Sequence, residues 1–298
     1  MSHVPAQPIV EDERVTVVVA TRNRRDELLS ALAHHRARVI VVTNGATDGT
    51  ADAVRGTYPS VEVVELANNE GARARTIGVQ RANTPYVAFA DDDSWWAPGS
   101  LARGAELLSA HPRVGLLHAR MLVGPEERLD PLCAELARSP LPRPPGSPGP
   151  AILGFAACAA MVRTDAFLAA GGFDDVVRFP GEEERLSLDL AELGWQQAYT
   201  EELVVHHHPS PSRHGPDARR RAVTRSAILT AALRLPAGTV AQRVWRALTG
   251  DAATRGGALD ALRELPRALG RRRPVSDDVL DQLAVLHEHE KSATASIG

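Results

Sequence analysis

Cysteine is nearly absent: two residues in 298, Cys133 and Cys158. Their spacing matches no metal motif, which excludes a disulfide framework or a cysteine-built zinc module. One structural disulfide or two free thiols remain, and a reducing cytoplasm is the expected compartment. A charge of one sign is also missing. Thirty-four basic residues stand against 37 acidic ones, so no global basic bias points to nucleic acid. The longest apolar run, residues 151–162, is too short to span a bilayer and reads as a buried strand with its flanks. Residues 1–14 lack a basic stretch followed by an apolar one, so no signal peptide is expected there. With Pro5, Pro8 and an acidic cluster, residues 1–13 are expected to be loose. Neither G-x-G-x-x-G nor G-x-x-x-x-G-K-[ST] occurs, which disfavours dinucleotide and P-loop sites.

The sequence is long enough for one large domain with an appendage, and its apolar fraction of 44% supports a sizeable core. Residues 15–20, 39–42 and 86–90 read as buried strands, and 61–66 as an alternating one. Between them lie helical stretches, one carrying Leu28, Leu29 and Leu32 behind Asp26 as its cap, another carrying Arg73 and Arg75 in its first turns. Strand alternating with helix predicts an α/β fold with a mainly parallel sheet and crossover helices. A helix from Pro98 to about 111 and an extended segment over 114–123 follow. Residues 139–150 hold six prolines and are expected to form an exposed loop, a lid near the acceptor side or a plain insertion. Thr164 is expected to cap a short helix ending at Gly171-Gly172. Another helix should carry Leu186, Leu190 and Leu193 inward and stop at Gly194, before a strand over 199–205. From 213 onward, Ala, Arg and Leu recur at helical spacing, with breaks at Pro236, Gly256-Gly257 and Pro274. Three or four helices are expected. Residues 235–273 carry an arginine excess, readable as a solvated surface or as a cationic face for an anionic membrane or substrate.

Three polar clusters each follow an apolar element: Asp91-Asp92-Asp93, Glu182-Glu183-Glu184 and His206-His207-His208. Three adjacent carboxylates repel one another, so a cation should compensate them, and a hard divalent metal is the simplest. Carboxylates with a histidine suit Mn2+ or Mg2+, the histidine favouring Mn2+. Adjacent strand residues face opposite ways, so not every histidine can reach one metal. Taken singly, each cluster also reads as ordinary surface, or as the acidic first turn of a helix.

Together these segments resemble family 2 glycosyltransferases of the GT-A fold, from about residue 15 to 211. The resemblance rests on Thr21-Arg22-Asn23-Arg24 after the first strand, on residues 41–50, on residues 69–78, on Asp91-Asp92-Asp93 after Phe89-Ala90, on Gly171-Gly172-Phe173-Asp174 and on Gly181-Glu182-Glu183. It implies a GT-A domain over 14–212 and a C-terminal helical extension over 213–298. It further implies a hexosyltransferase-like enzyme of the inverting, metal-dependent kind, using a nucleotide-sugar donor. The acceptor is then a glycan, a lipid-linked molecule or a small molecule. Localisation is expected to be cytoplasmic, with the C-terminal helices open to peripheral contact at the inner face of a membrane. Asp91 and Asp93 would hold the metal, with His206 or His207 completing its shell. Thr21, Arg22, Asn23, Asn44, Arg75, Asp91 and Asp92 would bind the donor. Glu183, with Glu182 beside it, would remove the acceptor proton. Two departures stand out: Thr43 replaces the family's usual Asp, and Glu183 replaces the usual Asp base. They motivate an alternative, a non-catalytic relative that binds a nucleotide sugar or a glycan.

Overall fold

The computed structural model describes residues 10–209 and 215–295. Most of the segment expected to be loose, and the expected boundary near 212, lie outside them. Residues 11–13 are tied down: the Glu11 carboxylate accepts from the Gly99 N–H, and Glu13 pairs with Arg38.

The chain opens with β1 (Val15–Thr21), α1 (Arg25–Leu32), β2 (Arg38–Asn44), α2 (Thr50–Thr57), β3 (Glu62–Leu66), α3 (Arg73–Arg81) and β4 (Tyr86–Ala90). Continuous apolar runs make β1 and β4 buried on both faces, as a sheet covered by helices requires. Then come β5 (Ser94–Trp96), α4 (Ser100–Ala110), β6 (Val114–Val123), β7 (Arg128–Leu129) and α5 (Pro131–Ala137). A 3-10 turn at Ala157–Ala159 leads into β8 (Ala160–Arg163) and α6 (Thr164–Ala169). Next are α7 (Glu183–Glu192), β9 (Gln196–His207) and four helices: α8 (Pro216–Arg234), α9 (Ala237–Thr249), α10 (Ala252–Gly270) and α11 (Asp277–Ala295).

The strand order is β3-β2-β1-β4-β8-β6-β9-β5, with β7 beside β6. β1, β2, β3 and β4 are mutually parallel. β8 is antiparallel to both β4 and β6, so β6 and its parallel partner β9 run the same way as β1. The carboxyl ends of β1, β2, β4 and β9 therefore share one edge, and the start of β8 lies there too. The fold is α/β with a mainly parallel sheet. α3 packs close against this sheet: a Cβ on Gly78 would lie 2.5 Å from a methyl of Val18.

Several local expectations are corrected. Asp26 sits inside the first turn of α1, behind the N-cap Arg24. Thr164 is the first residue of α6 rather than its cap, and its hydroxyl donates to the Thr84 carbonyl. Pro98 precedes the N-cap of α4, Gly99, whose φ of 83° favours glycine. Leu193 is exposed because α7 ends before it. Gly256-Gly257 does not break α10. Gly257 lets α10 approach α8, where a Cβ would lie 2.4 Å from the Arg221 carbonyl oxygen. Cys133 and Cys158 are both free and buried. The proline-rich segment is a loop, exposed at Pro142, Arg143, Pro145 and Gly146, but it is anchored and lies away from the acceptor side. Leu141 is buried, Gly149 lies against the Tyr199 backbone, and residues 145–147 flank a surface pocket with 110–113 and Gln196, where β6 and β9 begin. That edge is opposite the one described below.

The arginines of 235–273 are largely engaged within the molecule. Arg243 pairs with Glu184, Arg263 with Asp260, and Arg267 and Arg271 with Asp175. Arg272 donates to the Ala232 and Leu235 carbonyls. Arg243, Arg267, Arg271 and Arg272 thus join different parts of the chain, whereas Arg263 pairs within α10 and Arg246, Arg255 and Arg273 are exposed. Apolar contacts join the same parts. Ile228, Leu229 and Leu233 pack with Val176 and Val177, and Leu188 packs with Ala231, Leu235 and Val279.

Gly78→Ala is expected to lower stability by about 1–3 kcal/mol through overpacking of Val18, despite alanine's helix preference. Gly238, with nothing within 4 Å of its added Cβ, provides the control: Gly238→Ala should gain up to about 1 kcal/mol. Urea unfolding of both variants measures this.

Candidate active site

The acidic stretch leaves β4 in a tight turn. The Asp91 N–H donates to the Ser94 hydroxyl at 2.8 Å, and the Ser94 N–H returns to the Asp91 carbonyl. β5 then crosses to pair with β9, Ser94 opposite His207. The three side chains diverge. Asp91 accepts from Arg75 Nη2 at 2.5 Å. Asp92 accepts from the Thr21 hydroxyl at 2.8 Å and meets Arg24 Nε at 2.8 Å. Asp93 takes Arg24 Nη2 at 2.9 Å and has His207 Nε2 at 3.3 Å.

Two arginines therefore answer the mutual repulsion of this stretch. Arg75 is buried and also reaches Glu182 at 3.3 Å. Burial alone would lower its pKa, but the charges of Asp91, Glu182 and Glu183 outweigh burial and raise it. Burial pushes the Asp92 carboxyl up to about 7; Arg24 opposes this and Asp91 adds to it.

The second acidic cluster opens α7. Glu182 has no exposed surface. Burial, with the like charge of Glu183, raises its pKa against the pull of Arg75. Glu183 is half-buried, and one of its oxygens lies 3.5 Å from the Ala157 N–H. Its pKa is also raised, chiefly by burial, with the Arg75 charge opposing. Neighbouring Cys158 offers its sulfur within 4.8 Å of ligand atoms of Asp91 and His207.

Thr21, Arg75, Asp91, Asp92, Asp93, Glu182, Glu183 and His207 thus gather at the carboxyl edge of the sheet. Other expected residues are placed differently. His206 faces away from His207, as strand alternation demands: its ring stacks on Trp95 and its Nδ1 meets Glu127 at 3.1 Å. It is corrected as a metal ligand. Arg22 is exposed, and Arg24, two residues on, is the one that grips the carboxylates. Asn23, at φ 55°, accepts from the Thr47 N–H at 2.8 Å. Asn44 accepts from the Glu70 N–H at 2.7 Å and donates to the Gly71 carbonyl at 3.0 Å. Both asparagines brace loops with their side chains. Sequence reasoning missed two residues. Arg24 closes the Thr21–Arg24 stretch, and its spacing was a usable signal. Cys158 carried none, because only folding brings the turn before β8 to Asp91.

This sheet, with a carboxylate turn at the end of β4 and a histidine at the end of β9, defines the class: a glycosyltransferase of the GT-A fold. The chain belongs to the family described as Glycosyl transferase family 2, whose model matches residues 16–169. It is similar to a Mycobacterium tuberculosis N-acetylglucosaminyl-diphospho-decaprenol L-rhamnosyltransferase, 28% identical over 217 residues, covering 62% of this chain and 70% of the relative. It is also similar to the putative teichuronic acid biosynthesis glycosyltransferase TuaG of Bacillus subtilis, 31% identical over 105 residues, covering 32% and 41%. In fold it resembles the mannosyltransferase PcManGT of Pyrobaculum calidifontis, solved with GDP-Man and Mn2+. The TM-score is 0.53 at 19% identity, covering 98% of this chain and 83% of that one. S. aureus TarS 1-349 with UDP-GlcNAc gives a TM-score of 0.55 at 18% identity, covering 89% and 82%. The protein is a glycosyltransferase. No helix among the described residues is long and apolar enough to cross a membrane.

The Asp92 carboxyl, at about 7 when folded against 3.8 ordinarily, stabilises the fold fully below the lower value. That contribution is lost as pH rises through about 7. Asp92→Asn removes this dependence. Its melting temperature relative to the native protein should therefore rise between pH 4.5 and pH 7.5 and level off above pH 8, as thermal melts across that range would show.

Proposed function

We propose that this glycosyltransferase moves a sugar from a nucleotide-sugar donor to an acceptor hydroxyl, with inversion at the anomeric carbon and a divalent cation in the donor site. The observation that carries the reading is the convergence of Asp91, Asp93 and His207 with Glu183 at one edge of the sheet. The donor set fits such a cation. Ligand atoms of Asp91 and His207 lie within 4.8 Å of each other, and Asp93 lies 3.3 Å from His207. Asp91, Asp93 and His207 would hold Mn2+ or Mg2+, which when bound offsets charge on the leaving nucleoside diphosphate.

The chain's own residues supply the rest. Glu183, open to the site where Glu182 is sealed, takes the acceptor hydroxyl's proton. The acceptor oxygen then attacks the anomeric carbon from the face opposite the diphosphate. The carbon–oxygen bond to the diphosphate breaks, and its electron pair leaves with the nucleotide. Glu182 acts through Arg75, which it holds, while burial and the charge of Asp91 raise the Glu183 pKa. Arg75 and Arg24 fix the carboxylates, while Thr21 and the loops braced by Asn23 and Asn44 frame the nucleoside side. Thr43, at the end of β2, leaves the choice of base to other contacts.

A membrane-bound acceptor is the second part of this reading. α9 and α10 leave Trp245, Leu248, Leu259, Leu262 and Leu269 exposed, and the M. tuberculosis relative is named for a decaprenol-linked substrate. Trp245 is 69% exposed, a ring suited to a headgroup boundary. Sedimentation with anionic vesicles should carry the protein down, and Trp245→Ser should reduce that fraction; no sedimentation of the native protein refutes peripheral contact.

Turnover of a panel including UDP-GlcNAc and GDP-Man, with and without Mn2+, tests the central reading. Glu183→Gln should retain donor binding by calorimetry and lose turnover by about 100-fold or more. Because the Glu183 pKa is raised, kcat/KM should rise with pH along a limb above the ordinary carboxylate range. Donor binding without turnover, unchanged in Glu183→Gln, would mark a binding protein. No donor binding under any condition would sink the proposal.

A further inference from the structure

Cys158 has no part in the chemistry above, yet it stands where that chemistry is centred. It is 6% exposed, in the 3-10 turn that precedes β8. The topology explains its position. β8 runs against β4, so the residues entering β8 lie beside the carboxyl end of β4. His207 comes to the same edge because β9 runs with β4. Three ligand-type side chains from three separate elements, Asp91, Cys158 and His207, thereby offer an oxygen, a sulfur and a nitrogen within 4.8 Å of one another.

Bonds from one cation to such atoms run about 2.0–2.3 Å, so two ligands of one ion lie at most about 4.6 Å apart. Three equally spaced ligands of one ion lie at most about 4.0 Å apart on the same bond lengths, so atoms within 4.8 Å of one another reach a shared ion with side-chain shifts of under about an ångström. The other cysteine has no such surroundings: the sulfur of Cys133 accepts from the Met121 N–H at 3.2 Å, against the backbone of β6.

We propose that Cys158 is a further ligand of the donor-site cation, beside Asp91, Asp93 and His207, and that its sulfur tunes the site toward thiophilic divalent cations over Mg2+. This rests on the reading that a cation occupies the donor site. Cys158 binds as the thiolate, and its proton leaves to solvent as the metal–sulfur bond forms. Thiolate is a soft ligand that favours Zn2+, Co2+ or Cd2+, whereas Mg2+ favours oxygen alone. A site of mixed oxygen, nitrogen and sulfur should therefore bind Cd2+ and Zn2+ tightly. Either ion would also compete with a cation that supports turnover.

Titrating the full-length protein with Co2+ tests this without any assay of activity. The native protein and Cys133→Ser should both develop a thiolate-to-cobalt charge-transfer band in the near ultraviolet. Cys158→Ser and Cys158→Ala should both lack it. By calorimetry, Cys158→Ser should lose at least about tenfold in Cd2+ affinity and keep its Mg2+ affinity. Circular dichroism melts establish that the variants are folded, and the native spectrum decides the matter even if they are not. Co2+ binding without the charge-transfer band, or Cd2+ affinity unchanged in the variant, overturns the role of Cys158 and leaves the donor-site reading standing. Failure of the native protein to bind any divalent cation overturns both.

Discussion

The buried guanidinium of Arg75 is the constraint around which the site is arranged. It joins Asp91, at the end of β4, to Glu182, at the start of α7. These carboxylates are 91 residues apart in the chain; Glu182 is fully buried and Asp91 partly so, and the guanidinium between them offsets their charge. Such a pair is weak evidence for stability, because desolvation offsets much of its attraction. Its effect is on arrangement: once Arg75 is buried, β4 and α7 have to meet there. The close approach of α3 to β1 at Gly78 delivers the guanidinium to that point. Arg24 does the same for Asp92 and Asp93 from the other side.

α7 is held from behind as well. Arg234 pairs with Asp189, and Arg243 lies 2.6 Å from Glu184, one residue after Glu183. The C-terminal helices thus buttress the helix that presents the proposed base. Their apolar contacts reach Leu188 of α7 and the Val176-Val177 segment that leads into it. Several arginines of this region dock it onto the rest of the molecule, and the outer surface carries exposed arginines such as Arg246 and Arg273 together with Trp245.

The first half of the fold was legible because its signals are local. Unbroken apolar runs with turn residues between them mark β1, β2 and β4, and crossover geometry then leaves a parallel sheet as the natural outcome. The acidic stretch was legible because three adjacent carboxylates demand compensation. That Arg24 and Arg75 reach them as direct partners was not, because only folding brings α3 and the loop after β1 to the end of β4. Glycines misled where packing outweighed propensity. Gly256-Gly257 looked like a helix break, and Gly257 is instead the contact that lets α10 lie against α8. The proline-rich segment was read as exposed because proline cannot join a ladder, but nothing local said that it would pack at the opening of β9.

The sequence by itself determined the α/β class, the order of the strands along the chain, and the residue types available for chemistry, because hydrophobic period and turn composition act over a few residues. It also determined that not all three of His206, His207 and His208 could reach one metal, since side chains alternate along a strand. Only the tertiary structure decided which of them turns inward, that Glu182 is sealed while Glu183 is open, and that Cys158 stands beside Asp91. Those facts depend on which way β8 and β9 run and on what lies across a contact, and both are set by packing between segments far apart in the chain.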